Sequence, residues 1–282
     1  MDVTLYHSQH TRSIRVLWLL EEMQVPYKLE KLSLELGNTG GKEYAKINPL
    51  QKVPALKTDD KVILESTAIL AYLTGIKAGG DFALPANDSN HGLYLQWLHG
   101  GESAFGMYLS LFFGHSVLLP KNQRNKLMAD WAFINLKSTF NQFGLDLDDK
   151  EFITGDKFTA ADISVGYVAY AMSFLGKFEE VAPENVIKWW QKLAERPALK
   201  KRSEARSSQL LDRGRREGRH QADPRALSRR RGIRGRHPRA RGPGGVRSLV
   251  RRAAGEGRQA ACARSQRGQA ARGHARRADD GR

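Results

Sequence analysis

Asn48-Pro49-Leu50-Gln51-Lys52-Val53-Pro54-Ala55-Leu56, followed closely by Leu64-Glu65-Ser66-Thr67-Ala68-Ile69, decides how the front of this chain is read. The Val53-Pro54 step opens a short apolar run, and an X-Pro bond tolerates the cis form at a cost of only about 0.5–1 kcal/mol, so a fold can fix one where geometry demands it. Pro54–Lys57 and Val62–Leu64 read as strands joined through Asp59-Asp60. Ser66 is expected to cap a helix that carries Ile69, Leu70, Leu73 and Ile76 at helical spacing. An acid and a hydroxyl, Glu65-Ser66, therefore stand at a strand-to-helix junction one hairpin away from an X-Pro step.

Upstream, Val3–Tyr6 reads as a strand and residues 13–24 as a helix, with Ser13 as its cap and Ile14, Leu17 and Trp18 on one face. Tyr27–Leu32 alternates as a strand does, and Leu36–Gly41, with three glycines, reads as loop. The order is β-α-β-loop-β-β-α. Downstream, Ala78-Gly79-Gly80-Asp81 begins a linker, and after Pro85 the pattern turns helical over 88–117, 121–146, 160–173 and 184–195. Leu127, Trp131 and Ile134 fall on one helical face, as do Val186, Trp189, Trp190 and Leu193. Thr159-Ala160-Ala161-Asp162 has the spacing of a capping box, with Phe158 and Ile163 at the hydrophobic staple positions. Asp162 is accordingly read as structural.

Composition divides the chain near residue 203. Residues 1–203 balance 23 Lys and Arg against 23 Asp and Glu, whereas 204–282 carry 23 Arg, no Lys and 7 acids. The net charge of +16 belongs to the last segment alone. That segment also lacks Phe, Tyr and Trp, so it buries too little apolar area to offset its ordering entropy and is expected to be disordered. Its Arg, Gly, Ala and Pro share GC-rich codons, the composition of a frameshift-derived or non-native extension. If native, it would bind nucleic acid or an acidic partner, the former through phosphate contacts with a salt-sensitive affinity lost on its removal. It says nothing about the function of the front part. The single cysteine, Cys262, lies in that segment, so residues 1–203 offer no disulfide, no cysteine metal site and no protein thiol nucleophile. Neither a signal-peptide pattern nor an apolar run of membrane-spanning length is present, and a soluble cytoplasmic protein without membrane partners is the expectation. His91, His99 and His115 do not have metal-ligand spacing, and no metal is expected.

Arg12-Ser13-Ile14-Arg15-Val16-Leu17-Trp18-Leu19-Leu20-Glu21-Glu22, Ile47-Asn48-Pro49-Leu50-Gln51-Lys52-Val53-Pro54, Glu65-Ser66, the box at Thr159 and Asp162, Trp189-Trp190 and Arg196-Pro197-Ala198 occur in one order across nearly all of residues 1–203. In this the chain resembles the cytosolic glutathione S-transferase family. The resemblance implies an α/β thioredoxin-like domain over 1–80 that binds glutathione, an all-α domain over 86–203 and a homodimer. It also implies a detoxifying transferase with glutathione as co-substrate and no other cofactor.

The same resemblance assigns roles. Val53, ahead of a cis Pro54, would pair its backbone N–H and C=O with the cysteinyl part of glutathione, a form of strand addition. The free amides and dipole at the start of the helix, with the Ser66 hydroxyl, would hold the γ-glutamyl α-carboxylate, and Glu65 would accept from the α-amino group. Lys52 would meet the glycyl carboxylate. Activation needs a donor aimed at the sulfur, because a free thiol titrates near about 8.5 and is mostly protonated at neutral pH. The loop His7-Ser8-Gln9-His10-Thr11-Arg12-Ser13 supplies Thr11 first, Ser13 second and His10 third. His10 stands where several classes of the family carry a serine, and Arg12 would add positive potential. Tyr6 is expected in the core. Of Phe105, Met107, Tyr108, Phe112 and Phe113, Tyr108 is the candidate for an apolar second-substrate pocket.

Three function classes follow. The first is a transferase joining the glutathione thiolate to a small hydrophobic electrophile. The second is a glutathione-dependent peroxidase or disulfide reductase, in which two glutathiones supply both sulfurs. The third is a non-catalytic binding module.

Overall fold

The computed structural model describes residues 2–35 and 38–200. The Arg-rich segment 204–282, Cys262, Leu36 and Gly37 lie outside the described residues. Four strands, β1 (Thr4–His7), β2 (Lys28–Lys31), β3 (Ala55–Lys57) and β4 (Val62–Leu64), form one sheet in the order β2-β1-β3-β4. β1 and β2 are parallel, and β1–β3 and β3–β4 are antiparallel. Helix α1 (Ser13–Met23) makes the crossover between the parallel pair, and α3 (Ser66–Gly75) follows β4. This is the thioredoxin-like α/β topology expected from the element order. A short helix, α2 (Gly41–Ala45), begins at the end of the segment read as loop. Gly40 precedes it at φ +69, where a Cβ would lie 2.7 Å from the Tyr44 Cβ, so the turn requires glycine.

The remaining helices are α4 (His91–Ser103), α5 (Gly106–Phe113), α6 (Lys126–Leu147), α7 (Ala160–Phe174), α8 (Phe178–Val181) and α9 (Glu184–Ala194). The single helix expected over 88–117 is broken. The amides of Ala104 and Phe105 both bond to the Gly100 carbonyl, at 3.0 and 3.2 Å, and α5 restarts at Gly106. The helix expected over 121–146 starts later, because Asn125 caps α6 by accepting from the Met128 amide at 3.3 Å.

α1 is buried on every side from Ser13 to Leu20, since it lies between the sheet with α3 and helix α7 of the all-α part. A Cβ on Gly166 would come within 2.8 Å of the Trp18 ring, so the close approach of α7 to α1 depends on that glycine. Trp97, Phe105, Phe140, Phe143 and Trp189 pack ring against ring as the centre of the all-α core, edge to face where Phe143 meets Trp97 and Trp189 and tilted where Phe105 meets Trp97 and Phe140. The α9 face Val186, Trp189, Trp190, Leu193 is buried as read. The α6 face is not. Leu127, Trp131 and Ile134 are exposed, and the helix buries Ala132, Leu136, Phe140, Phe143 and Leu147 instead. Both stripes have helical spacing, and the one carrying two phenylalanines fills the aromatic core.

At α7 the capping box is present. The fully buried Asp162 carboxylate accepts from the Thr159 amide (3.0 Å), the Thr159 hydroxyl (3.1 Å), the Ile153 amide (3.0 Å) and Trp189 Nε1 (3.1 Å). Burial pushes its pKa up, while these four donors pull it back. Phe158 and Ile163 are both in the core beside it.

Candidate functional site

The sheet register gathers the residues singled out by sequence. Tyr6 pairs with Ala55, and Ala55 with Leu64. The chain leaving β1 (His7–Arg12), the chain entering β3 (Val53-Pro54) and the chain leaving β4 (Glu65-Ser66) therefore emerge at one edge of the sheet. Val53-Pro54 is a cis peptide bond. Asn48 Nδ2 and the Tyr44 hydroxyl both donate to the Lys52 carbonyl, at 2.7 and 2.6 Å, which fixes the strand entry. The backbone N–H and C=O of Val53 have no hydrogen-bond partner among the described residues. The Lys52 side chain is exposed.

Glu65 is exposed and held at φ +66, ψ 118, outside the regions that ordinary residues favour. Such a conformation costs on the order of 1–3 kcal/mol and persists only where surrounding structure imposes it. Ser66 is not the cap that its sequence position suggests. Glu65 occupies the N-cap position, and no side chain caps α3. The amides of Ser66, Thr67 and Ala68 make no hydrogen bond among the described residues. The Ser66 hydroxyl is instead gripped from behind, accepting from Arg15 Nη1 at 3.0 Å.

Ser13 is likewise not a cap. Arg12 holds the N-cap position of α1 without a side-chain bond. Ser13 Oγ contacts His7 Nδ1 (2.8 Å) and Thr11 Oγ1 (2.7 Å) and accepts from the Ser8 amide (3.3 Å). Thr11 donates to the Ser8 carbonyl at 2.7 Å. The two hydroxyls thus spend their hydrogen bonds inside the loop. His10 sits at φ +57, shares a 2.6 Å hydrogen bond between Nδ1 and the Tyr170 hydroxyl, and stacks on Phe174 at 4.2 Å. It is a partly buried bridge to α7 rather than the exposed loop histidine that is more usual.

Arg12, expected as a source of positive potential, is ion-paired. Its Nε lies 2.7 Å from both Glu102 carboxylate oxygens, and Nη2 donates to the Gly106 carbonyl and Ser110 Oγ, each at 2.9 Å. Glu102 also accepts from Arg15 Nη1 at 2.8 Å. Gly106 makes room for this carboxylate, since a Cβ there would lie 2.2 Å from Glu102 Oε1. Partial burial raises the Glu102 pKa, but the two guanidinium groups outweigh it and hold the carboxyl below its usual range.

Tyr6 is partly buried against Tyr44. Tyr108 packs edge-on against Trp131 at 5.2 Å. Phe105 is fully buried in the core and Met107 is exposed. Among the described residues no group of three or more His, Asp or Glu side chains is arranged to hold a metal. Sequence reading missed Arg15, Glu102, Tyr170 and Phe174. For Arg15 there was a signal, a cation inside the apolar run from Ile14 to Leu20.

A thioredoxin-like domain with an open strand entry at a cis proline, packed through its first helix against an all-α part, defines a glutathione-transferase class of fold. The chain belongs to the glutathione S-transferase family. Residues 1–75 match the family's N-terminal domain and residues 106–197 its C-terminal domain. It is 26% identical over 214 residues to glutathione S-transferase 3 of Schizosaccharomyces pombe, covering 70% of this chain and 85% of that one. Among solved structures, the glutathione transferase URE2P6 of Phanerochaete chrysosporium, in complex with oxidized glutathione, is 29% identical with a TM-score of 0.63, covering 73% of this chain and 96% of that one. Ure2p5 of the same fungus, cocrystallized with 1-(S-glutathionyl)-2,4-dinitrobenzene, is 25% identical with a TM-score of 0.62, covering 74% and 96%. No described helix is long and apolar enough to cross a membrane.

Proposed function

We propose that this chain binds glutathione at the 52–66 edge and transfers its thiolate to a small hydrophobic electrophile. The observation that carries the reading is the pair of open backbone features at one sheet edge, the unpaired Val53 amide and carbonyl beside the uncapped start of α3. Val53 would pair with the cysteinyl backbone, the α3 amides and Ser66 would hold the γ-glutamyl α-carboxylate, Glu65 the α-amino group, and Lys52 the glycyl carboxylate. Holding two reactants together and stabilising the thiolate would supply the rate. The glutathione conjugate carried by the related Ure2p5 crystal supports this assignment.

Three groups on one loop are candidates for the thiolate donor. Sequence order favours Thr11. Thr11 directs its proton to the Ser8 carbonyl, Ser13 bonds within its own loop, and the His10 ring is held by the Tyr170 hydroxyl and Phe174; we rank His10 first because it stands where several classes of the family carry a serine. His10→Ala is expected to lower kcat about tenfold, in the range of one lost hydrogen bond to a charged group, and Thr11→Ala to lower it less. The opposite order would return the role to Thr11. Tyr108 remains the residue proposed to touch the electrophile. A homodimer in the cytoplasm is the proposed state, and the exposed stripe of Leu127, Trp131 and Ile134 supports a covered α6 face. Light scattering in solution checks the dimer.

The test is calorimetry of glutathione on the full chain, followed by turnover with an aryl halide and with an organic hydroperoxide. Binding and faster aryl-halide turnover are expected. Faster turnover with the hydroperoxide would favour the peroxidase or disulfide reductase reading, toward which the oxidized glutathione in the URE2P6 crystal points. Binding without turnover would leave a binding module.

A further inference from the structure

Arg15 has no exposed side-chain surface, although it lies on the same helix as the apolar residues that fill the interface between the two halves. A buried cation is retained only when it is paired with an opposite charge and hydrogen-bonded around it. Its Nε donates to the Ser164 carbonyl (2.9 Å), Nη2 to the Gly101 carbonyl (2.6 Å) and Nη1 to Glu102 (2.8 Å), and its guanidinium carbon lies 4.6 Å from the centre of the Tyr167 ring. Burial lowers its pKa, and the Glu102 carboxylate opposes that shift. The remaining Nη1 contact goes to Ser66 Oγ.

That contact fixes the polarity of a hydroxyl. A guanidinium only donates, so Ser66 must accept from it, and the serine proton then points away from Arg15. Ser66 is the first residue of α3, whose leading amides have no partner among the described residues. The hydroxyl proton and the open amides therefore favour the same ligand, an anion, and the positive charge behind Ser66 strengthens the donor.

We propose that Arg15 is a positioning residue that holds the Ser66 hydroxyl as a donor toward the α-carboxylate of glutathione. The inference rests on the glutathione reading above. It adds that the affinity of the edge for this carboxylate is set from the interface between the two halves, through a residue that touches no ligand. Arg12 shares the Glu102 carboxylate but makes no contact with Ser66.

The experiment compares two ligands on the full chain by calorimetry, glutathione and γ-aminobutyryl-cysteinylglycine, which is glutathione without its α-carboxylate. Arg15→Lys is expected to weaken glutathione about tenfold, the effect of one charge-assisted hydrogen bond, and to leave the analogue unchanged. Ser66→Ala should show the same selectivity, and the double variant should be no weaker than Ser66→Ala alone. Equal losses for both ligands in Arg15→Lys, or additive losses in the double variant, would overturn the proposal. If Arg15→Lys does not fold, Ser66→Ala still tests the donor that Arg15 is proposed to hold, because Ser66 contributes no cap bond and Arg15 Nη1 keeps the Glu102 carboxylate as its partner. Equal weakening of both ligands in that variant would also overturn it. If the unaltered chain takes up no glutathione, the glutathione reading fails first. If it does, and only the selectivity is missing, the Arg15 inference alone fails.

Discussion

Two helix starts in this chain look alike in sequence and do opposite things. Ser66 and Thr159 are both small hydroxyl residues at the head of an apolar helix. At Thr159 the chain closes on itself. Asp162 returns to bond the Thr159 amide and hydroxyl, takes the Ile153 amide and Trp189 Nε1 as well, and the whole group is buried. At Ser66 nothing local closes the helix. The amides of α3 stay open at the sheet edge, Glu65 is held at positive φ, and the hydroxyl is turned to a guanidinium from another helix. A helix start whose donors are satisfied by its own side chains adds stability. One whose donors are left open beside a strained, exposed acid is prepared for a ligand.

The contrast can be broken most strongly at the closed end. Asp162→Ala leaves the Ile153 amide, the Thr159 amide and Trp189 Nε1 without their partner in the core. At about 1–3 kcal/mol per buried unsatisfied group, the loss should reach about 3 kcal/mol or more. Urea unfolding measures it, and glutathione affinity of the fraction that remains folded should not change.

The open end should respond in binding and not in stability. Glu65→Gly removes the carboxylate while supplying the residue that tolerates positive φ. Glutathione affinity is expected to fall about tenfold to a hundredfold, as for a lost hydrogen bond between charged groups, with the melting temperature unchanged or slightly higher. A drop in melting temperature with unchanged affinity would make this end structural as well.

A third prediction concerns the ion cluster behind the open end. The Glu102 carboxyl is held below its unfolded value, so its contribution is complete above about pH 4.3 and is lost as pH falls through its folded pKa. Stability should therefore drop below the ordinary carboxylate range, and Glu102→Gln should flatten that part of a plot of melting temperature against pH. The smallest effect belongs to Lys52→Ala. An exposed cation facing a carboxylate is worth about 0.2–1 kcal/mol, so affinity for glutathione should weaken no more than about fivefold, and less in high salt.

Much of this molecule was legible locally. The X-Pro step, the two short strands around Asp59-Asp60, the box at Thr159 and Asp162, and the aromatic face of α9 depend on neighbours one to four positions apart. Such spacings are written directly in the chain. The readings that failed depended on how the chain folds back, over a tight loop at Ser13 and over a long separation at Ser66. Ser13 and Ser66 have the local chemistry of caps, but Ser13 is drawn into a hydroxyl cluster with His7 and Thr11, and Ser66 is met by Arg15, 51 positions away. On α6 two stripes had the right period, and only the aromatic core could choose between them.

By itself, the sequence determined the order of strands and long helices in the front part, the expectation of a cis proline at β3 and the motifs that mark the family, because each is carried by residues close together in the chain. The tertiary structure alone decided that Arg12 and Arg15 share one carboxylate 90 and 87 positions away, and that one helix start is sealed while the other stays open. Burial and ion pairing depend on which surfaces meet, and no local spacing specifies that.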